Sequence, residues 1–200
     1  ESEVKKMNKN DLRYIKTEEK LKSAYLELLS KNSNRQITVK EICKLASCSR
    51  NTFYLHYETR DDLEKQFMRD ILDTMAFAFF PIETDISKFD HFDNRQYTDG
   101  IIDSVSQKQK ALTIFLKNDS GTFTKALADT IFNQCLNGIK SFISKEITEN
   151  IVLSIRYLAQ AITGFIHEWL TNSSYTSDQA KDLLYFIHDP TIRSISKLLA

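Results

Sequence analysis

The sequence predicts an all-α protein, with an N-terminal three-helix head built on a helix-turn-helix and a long fourth helix leading into a helical body. Three observations carry this. Only 4 glycines and 2 prolines interrupt 200 residues, so long helices meet few breakers. Apolar residues recur at three- and four-residue spacing along most of the chain, and no stretch needs the alternation of a strand. The stretch from Ile37 to Tyr57 reads as two short helices about a tight turn. In that form a second helix can enter the major groove of DNA.

The elements follow in order. Residues 1–11 are polar and carry Lys5, Lys6 and Lys9, as a mobile arm would. The first helix places Leu21, Ala24, Tyr25, Leu28 and Leu29 on one face and ends in the polar cluster Lys31 to Asn34. The second opens on a capping box of Thr38 and Glu41, with Val39, Ile42, Cys43 and Ala46 facing inward. The third starts from Ser49 as N-cap and turns Phe53 inward. Thr59 and Asp62 start a fourth, whose Leu63, Phe67, Ile71, Leu72, Met75 and Phe79 run to a stop at Pro81. Residues 82–96 have no regular period and predict a loop with one short helical piece. Helices are expected near 97–117, 121–145, 149–172 and 177–198, parted by the polar breaks Asn118–Gly121 and Asn172–Ser177. The domain division expected is 1–60 for the head and 61–200 for the body.

Composition excludes several classes. The chain is 42% hydrophobic and 27% charged, ordinary values for a globular protein, and has no run of roughly 18 apolar residues that would span a membrane. It begins at Glu1 rather than Met, as a processed chain or an excerpt would, and shows no secretory signal pattern. The net charge of zero hides an imbalance. Residues 1–60 hold 13 Lys and Arg against 8 Asp and Glu, and residues 61–200 hold 14 against 19. A basic head on an acidic body suits nucleic-acid binding by the head. Three cysteines are too few, and odd in number, for a disulfide framework, so a reduced, cytoplasmic chain is expected.

The pattern T-V-x-x-I-x-x-x-A-x-x-S-x-x-T-F-Y-x-H-Y, followed by a basic residue and D-x-L, resembles the TetR family of bacterial transcriptional regulators. It is carried by Thr38, Val39, Ile42, Ala46, Ser49, Thr52, Phe53, Tyr54, His56, Tyr57, Arg60 and Leu63. The segment Gly164 to Leu170, with the polar loop and last helix after it, is similar to the C-terminal part of many members. The branch that includes regulators of dihydroxyacetone kinase operons is the most similar in this respect. The resemblance implies a homodimer that sets its third helices in successive major grooves of a near-palindromic operator. It also implies a body whose cavity holds an effector that moves the heads apart. Two positions depart from the family: Ser47-Cys48 stands where members usually have Gly-Val. Glycine suits such a turn because a positive φ costs it little, so Ser47 is expected to strain the turn or re-aim the third helix.

Candidate site residues follow from chemistry and from the resemblance. Arg50 can give two hydrogen bonds to guanine and Asn51 can pair with adenine, the alternative for each being phosphate or solvent. Thr38, Ser49, Thr52, Tyr54, His56, Tyr57 and Arg60 stand where family members touch phosphates or thymine methyls, contacts that position a protein without specifying sequence. Thr38 and Ser49 double as helix caps, and Tyr57 belongs partly to the core. The arm lysines and Arg13 offer phosphate contacts or a solvated tail.

Other constellations fall away. Cys43, Cys48 and His56 fit no zinc spacing and read as small core residues, so no metal or other cofactor is expected. His167-Glu168 is an incomplete HExxH, with Thr171 where the second His would stand. No nucleophile elbow, P-loop or dinucleotide fingerprint is present, and no catalytic residue is assigned. Aromatic residues are spread over the body: Phe77, Phe80, Phe89, Phe92, Tyr97, Phe115, Phe132, Phe142, Tyr157, Phe165, Trp169, Tyr185 and Phe186. They line an effector cavity or simply fill a core, and Phe115, Tyr157, Phe165 and Trp169 are the effector candidates because they are central in their helices. Ile155, Leu158, Ala159, Ile162 and Ile166, with Gly164 permitting close approach, are candidates for a subunit interface or for intrachain packing.

The function expected is a sequence-specific DNA-binding regulator, a repressor released from its operator by a small apolar or aromatic effector. The alternative is a DNA-binding regulator or activator controlled by a protein partner.

Overall fold

The computed structural model describes residues 11–31, 36–79, 91–142 and 146–199. Expectations for Lys5, Lys6, Lys9, Phe80, Pro81 and Phe89, and for the Phe92 and Phe142 side chains, lie outside the described residues. Among those described there are nine α-helices, one 3-10 turn and no strand, so the all-α expectation holds. Two compact units result, Glu1–Asp70 and Ile71–Ala200. The division falls inside the fourth helix rather than at residue 60, because the first half of that helix belongs to the N-terminal core through Leu63.

In the N-terminal unit, α1 (Leu12–Lys31) packs on α2 (Val39–Ala46), and α2 on α3 (Arg50–His56). The sequence's capping signals act as read. The Thr38 hydroxyl accepts the Glu41 N–H at 3.3 Å while the Glu41 carboxylate accepts the Thr38 N–H at 2.9 Å. Ser49 Oγ accepts the Thr52 N–H at 3.0 Å. Thr59 and Asp62 form the same reciprocal pair ahead of α4 (Arg60–Ala76). The core is Tyr14, Leu21, Ala24, Tyr25, Ile42, Cys43, Ala46, Phe53, Tyr57 and Leu63, whereas Val39, Leu28 and Leu29 are half-buried. Lys22 ties α1 to α4, bonding Glu18 at 2.6 Å and Asp70 at 2.5 Å. Burial opposes its charge, yet these carboxylates hold the ammonium's pKa above the ordinary value.

In the C-terminal unit, the end of α4 buries Ile71, Leu72 and Met75 and tightens into a 3-10 turn, Phe77–Phe79. Then come α5 (His91–Gln107), α6 (Gln109–Lys117), α7 (Thr122–Phe142), α8 (Glu149–Asn172) and α9 (Ser177–Leu199). α5 packs along α9, and α8 lies against α6, α7 and α9. Two expectations need correction. α5 starts at His91, inside the stretch expected to be irregular, and the helix expected over 97–117 is broken at Lys108. No glycine or proline marks that break. The Lys108 N–H bonds the Val105 carbonyl at 3.1 Å as α5 ends, and α6 starts from Lys108 without a side-chain cap. The Asn118–Gly121 break is as expected. Gly121 takes φ +105, a conformation glycine adopts without steric cost, and Asp119 accepts the N–H groups of Phe123 and Thr124 at 2.9 and 2.8 Å. The loop after α8 is held by Trp169, whose indole N–H bonds the Tyr175 carbonyl at 3.0 Å.

Between α5 and α9 lies a buried polar group: Asn94 Nδ2 donates to Asp189 Oδ1 at 2.9 Å, beside buried Thr98 and His188. Burial alone pushes His188 down to about 4, below the ordinary 6.5 of the unfolded chain. Its contribution is therefore complete above pH 6.5 and is lost as pH falls toward 4, where only the unfolded chain takes up the proton. Urea midpoints should fall between pH 7 and pH 4.5 by an amount equivalent to at most about 3 kcal/mol. In His188→Gln that part of the slope should vanish, and an unchanged slope would refute the assignment.

Candidate nucleic-acid interface

α3 has a single fully buried side chain, Phe53, so the rest of its surface is open. Arg50 and Asn51 are exposed at its start, with Tyr54 54% and Leu55 52% exposed further along. The Arg50 guanidinium forms no ion pair among the described residues. Exposed Lys40 and Lys44 add positive charge on α2. Leu55 is apolar and carries no sequence signal of a polar contact, yet an exposed leucine at this place is well suited to a thymine methyl. The two lysines were legible, since the helical period sets them opposite Ile42, Cys43 and Ala46.

The nine residues expected to contact DNA thus separate into groups. Arg50, Asn51 and Tyr54 are open. Thr38, Ser49 and Thr52 have hydroxyls engaged in capping: Thr38 Oγ1 donates to Glu41 at 2.7 Å, and Ser49 Oγ lies 2.8 Å from Thr52 Oγ1. Arg60 is turned to its own unit, paired with Glu64 at 2.5 Å and Asp61 at 3.0 Å.

His56 does not sit as expected, while Tyr57 takes the core side of its two readings. The imidazole stacks on Tyr14 with ring centroids 3.9 Å apart, and both ring nitrogens are buried. Burial, more than the opposing Glu18 carboxylate, lowers its pKa, so at neutral pH it carries no charge for a phosphate. Tyr57 is a core residue whose hydroxyl pKa is raised by burial and by Glu18. The cleft these rings border, about 560 Å³, is lined by Glu18, Glu58 and Asp62 with Arg69, an acidic wall unsuited to a nucleic-acid backbone. The H-Y pair of the motif packs α3 onto α1.

The aromatic residues of the C-terminal unit also differ from expectation. Phe115 is buried and stacks on Phe123 at 5.3 Å. Trp169 is buried and anchors the α8–α9 loop, while Phe165 is half-buried. Tyr157 is 63% exposed, a surface residue and not a cavity wall. The interface candidates Ile155, Ala159, Ile162 and Ile166 are buried within the chain and have no surface to offer a second subunit, whereas Leu158 is half-buried. The helices packed on α8 are α6, α7 and α9. The apolar residues left open on α8 and α9 are others: Leu153 at 60%, Tyr157, Ala161, Leu183, Phe186 at 75% and Ile187. Gly164 lies in the same exposed row of α8, and a Cβ added there would meet nothing within 4 Å.

Among the described residues no group of three or more His, Cys, Asp or Glu side chains is placed to hold a metal, and no helix is long and apolar enough to cross a membrane.

No family model and no curated protein matches the sequence. Solved structures do. The chain superposes on a TetR transcriptional regulator from Streptococcus agalactiae with a TM-score of 0.63 at 21% identity, over 92% of this chain and 96% of that one. For a TetR-family regulator from Streptomyces coelicolor the values are 0.61 and 15%, over 92% and 88%. For the dihydroxyacetone kinase operon activator DhaS they are 0.60 and 14%, over 92% and 98%. This chain has the TetR fold.

Within this TetR fold the helix-turn-helix carries one strained residue. Ser47 has φ 53 and ψ 45 and is the one non-glycine residue with positive φ among those described. The left-handed region costs an L-residue about 1–2 kcal/mol, so the glycine expected from the resemblance is what the geometry favours. Ser47→Gly is therefore expected to raise stability by about 1 kcal/mol, after the entropy glycine adds to the unfolded chain. A denaturant midpoint that stays put or falls would show that the Ser47 side chain contributes something the backbone geometry does not reveal.

Proposed function

We propose that this chain is a sequence-specific DNA-binding regulator acting as a homodimer, with α3 as the recognition helix. The observation that carries this is the open, uncompensated N-terminal half of α3, where Arg50 and Asn51 project from a helix fixed by Phe53 beneath and Ser49 at its cap. Arg50 reads guanine, Asn51 reads adenine, and Tyr54 and Leu55 flank them with a hydroxyl and a methyl-binding surface. Lys40 and Lys44 approach phosphates and set the register. The subunit interface is the open face of α8 and α9, made by Leu153, Tyr157, Ala161, Gly164, Leu183, Phe186 and Ile187.

The regulator is a repressor whose operator favours recognition helices about one DNA turn apart, roughly 34–36 Å. A small apolar or aromatic effector bound in the C-terminal unit favours another spacing. Operator and effector then weaken each other by one coupling free energy, on the order of 1–3 kcal/mol. A second reading, an activator governed by a protein partner, draws on the similarity to DhaS, an operon activator.

Selection of genomic fragments by the purified protein at near-physiological salt tests the reading. An imperfect palindrome should be recovered. Arg50→Ala should bind it about 1–3 kcal/mol more weakly and with relaxed preference at one base pair per half-site. Binding that is indifferent to sequence and falls steeply with salt would count against it. Release by small apolar compounds favours the repressor, and DNA binding that needs an added protein favours the second reading.

A further inference from the structure

The turn between α2 and α3 holds two thiols that the DNA-binding reading leaves without a role. α2 ends with the Ser47 N–H bonded to the Lys44 carbonyl at 3.4 Å and the Cys48 N–H bonded to the Cys43 carbonyl at 3.0 Å. These two bonds, with left-handed Ser47 between them, make a Schellman motif, which brings the side chains of its first and last residues together. An apolar pair usually fills that contact. Here the two positions are Cys43 and Cys48. Cys43 is buried, Cys48 is half-buried and reachable from solvent, and both are free. Cys43 Sγ also donates to the Ser49 carbonyl at 3.7 Å, so the same sulfur touches the residue that caps the recognition helix.

We propose that Cys43 and Cys48 form a redox-responsive dithiol, which peroxide closes to an intrachain disulfide that displaces the start of the recognition helix. The regulatory consequence rests on the DNA-binding reading above, while the thiol chemistry stands apart from it. The more accessible Cys48 reacts first: its thiolate attacks one peroxide oxygen, the O–O bond breaks, and a sulfenic acid and water result. Cys43 then gives up its proton and attacks the Cys48 sulfur, the S–O bond breaks, and a second water leaves. Two thiols and one hydrogen peroxide become one disulfide and two waters, the sulfurs losing the two electrons that the peroxide oxygens gain. Burial, with Cys48 beside it, pushes the Cys43 thiol up to about 11, which together with its buried position makes it the poorer of the two at meeting peroxide. Its place in the resolving step rests on its position across the motif from Cys48. Closure draws the sulfurs from non-bonded contact to a covalent bond and removes the S–H donor from the Ser49 carbonyl. Both changes act on the residue whose hydroxyl caps α3, next to Arg50.

The test uses the full chain, reduced and then treated with hydrogen peroxide at neutral pH. Thiol counting should fall from three to one, and peptide mapping should join Cys43 to Cys48 while buried Cys135 stays free. Hydrogen exchange should change at the amides of Cys48 to Phe53, and dithiothreitol should restore them. Cys48→Val, which supplies the apolar contact the motif ordinarily has, should fold normally and show none of this. Affinity of the oxidised protein for the selected DNA should fall by about tenfold, the size of one lost base contact, and return on reduction. A sulfinic acid on Cys48 with Cys43 free, a disulfide between chains, or reaction at Cys135 would overturn the dithiol. A 43–48 disulfide with unchanged exchange and DNA affinity within twofold would overturn the switch. If the reduced chain selects no DNA, the functional reading fails, while mapping and exchange still decide the thiol chemistry.

Discussion

Phe53→Ala is expected to destabilise the N-terminal unit by about 3–5 kcal/mol and to abolish any binding that depends on α3. The ring is fully buried and lies against Tyr54 and Tyr57 with centroids 5.6 and 5.8 Å away. α3 spans seven residues, far short of the roughly 12–15 at which an isolated helix becomes even marginal in water. Its order therefore comes from tertiary contact, and Phe53 is the one side chain it buries fully. Truncation removes the transfer free energy of the ring and leaves a cavity beside Tyr54 and Tyr57, which short helices joined by capped turns cannot close fully. Phe53→Leu keeps most of the volume and should cost markedly less. Urea unfolding followed by circular dichroism measures both, and an alanine variant within about 1 kcal/mol of the parent would mean that α3 is held by its caps rather than by its core residue.

Much of this arrangement is legible in the sequence because local chemistry determines it. Thr38 with Glu41, Ser49, and Thr59 with Asp62 announce three helix starts, and each forms the bonds its residue types allow. The bounds of α8 are also readable, since Asn172 to Ser177 supply a polar break. Ser47 is the case where composition conflicts with conformation, and the conformation prevails: the chain adopts the left-handed turn without the glycine.

What is not legible depends on packing between distant segments. The break at Lys108 has no local signal, since neither glycine nor proline stands there. His56 looks like a phosphate ligand until Tyr14, forty-two residues earlier, is found stacked on it. α8 carries two apolar rows of the same period, one through Ile155, Ala159, Ile162 and Ile166, the other through Leu153, Tyr157, Ala161 and Gly164. Periodicity cannot say which row faces the chain's own core. The richer aliphatic row is the natural choice for a subunit interface, yet it is buried within the chain.

The second row leads to the other large effect expected. Phe186→Glu should convert the homodimer proposed above to monomers and reduce operator binding with it. Phe186 is 75% exposed, next to Ile187 and one helical turn beyond Leu183, an apolar cluster costly to leave in water if nothing covers it. Covering a phenylalanine contributes about 1.5–3 kcal/mol, and a twofold interface contains each residue twice. Replacing both rings should therefore cost about 3–6 kcal/mol from lost burial alone, raising the dimer dissociation constant by about 10²–10⁴-fold. Because the side chain is exposed in the single chain, the variant should unfold no earlier than the parent once both are monomeric. Gly164→Leu should act in the same direction by a different route. A helix-interior glycine costs about 1 kcal/mol relative to alanine, and the chain has open space at that site, so within one subunit the substitution is tolerated. Only a second helix approaching closely would clash with it. Sedimentation of the two variants separates the possibilities: monomers from both place the interface on this face, whereas intact dimers from both would move it elsewhere and free the apolar row for a different partner.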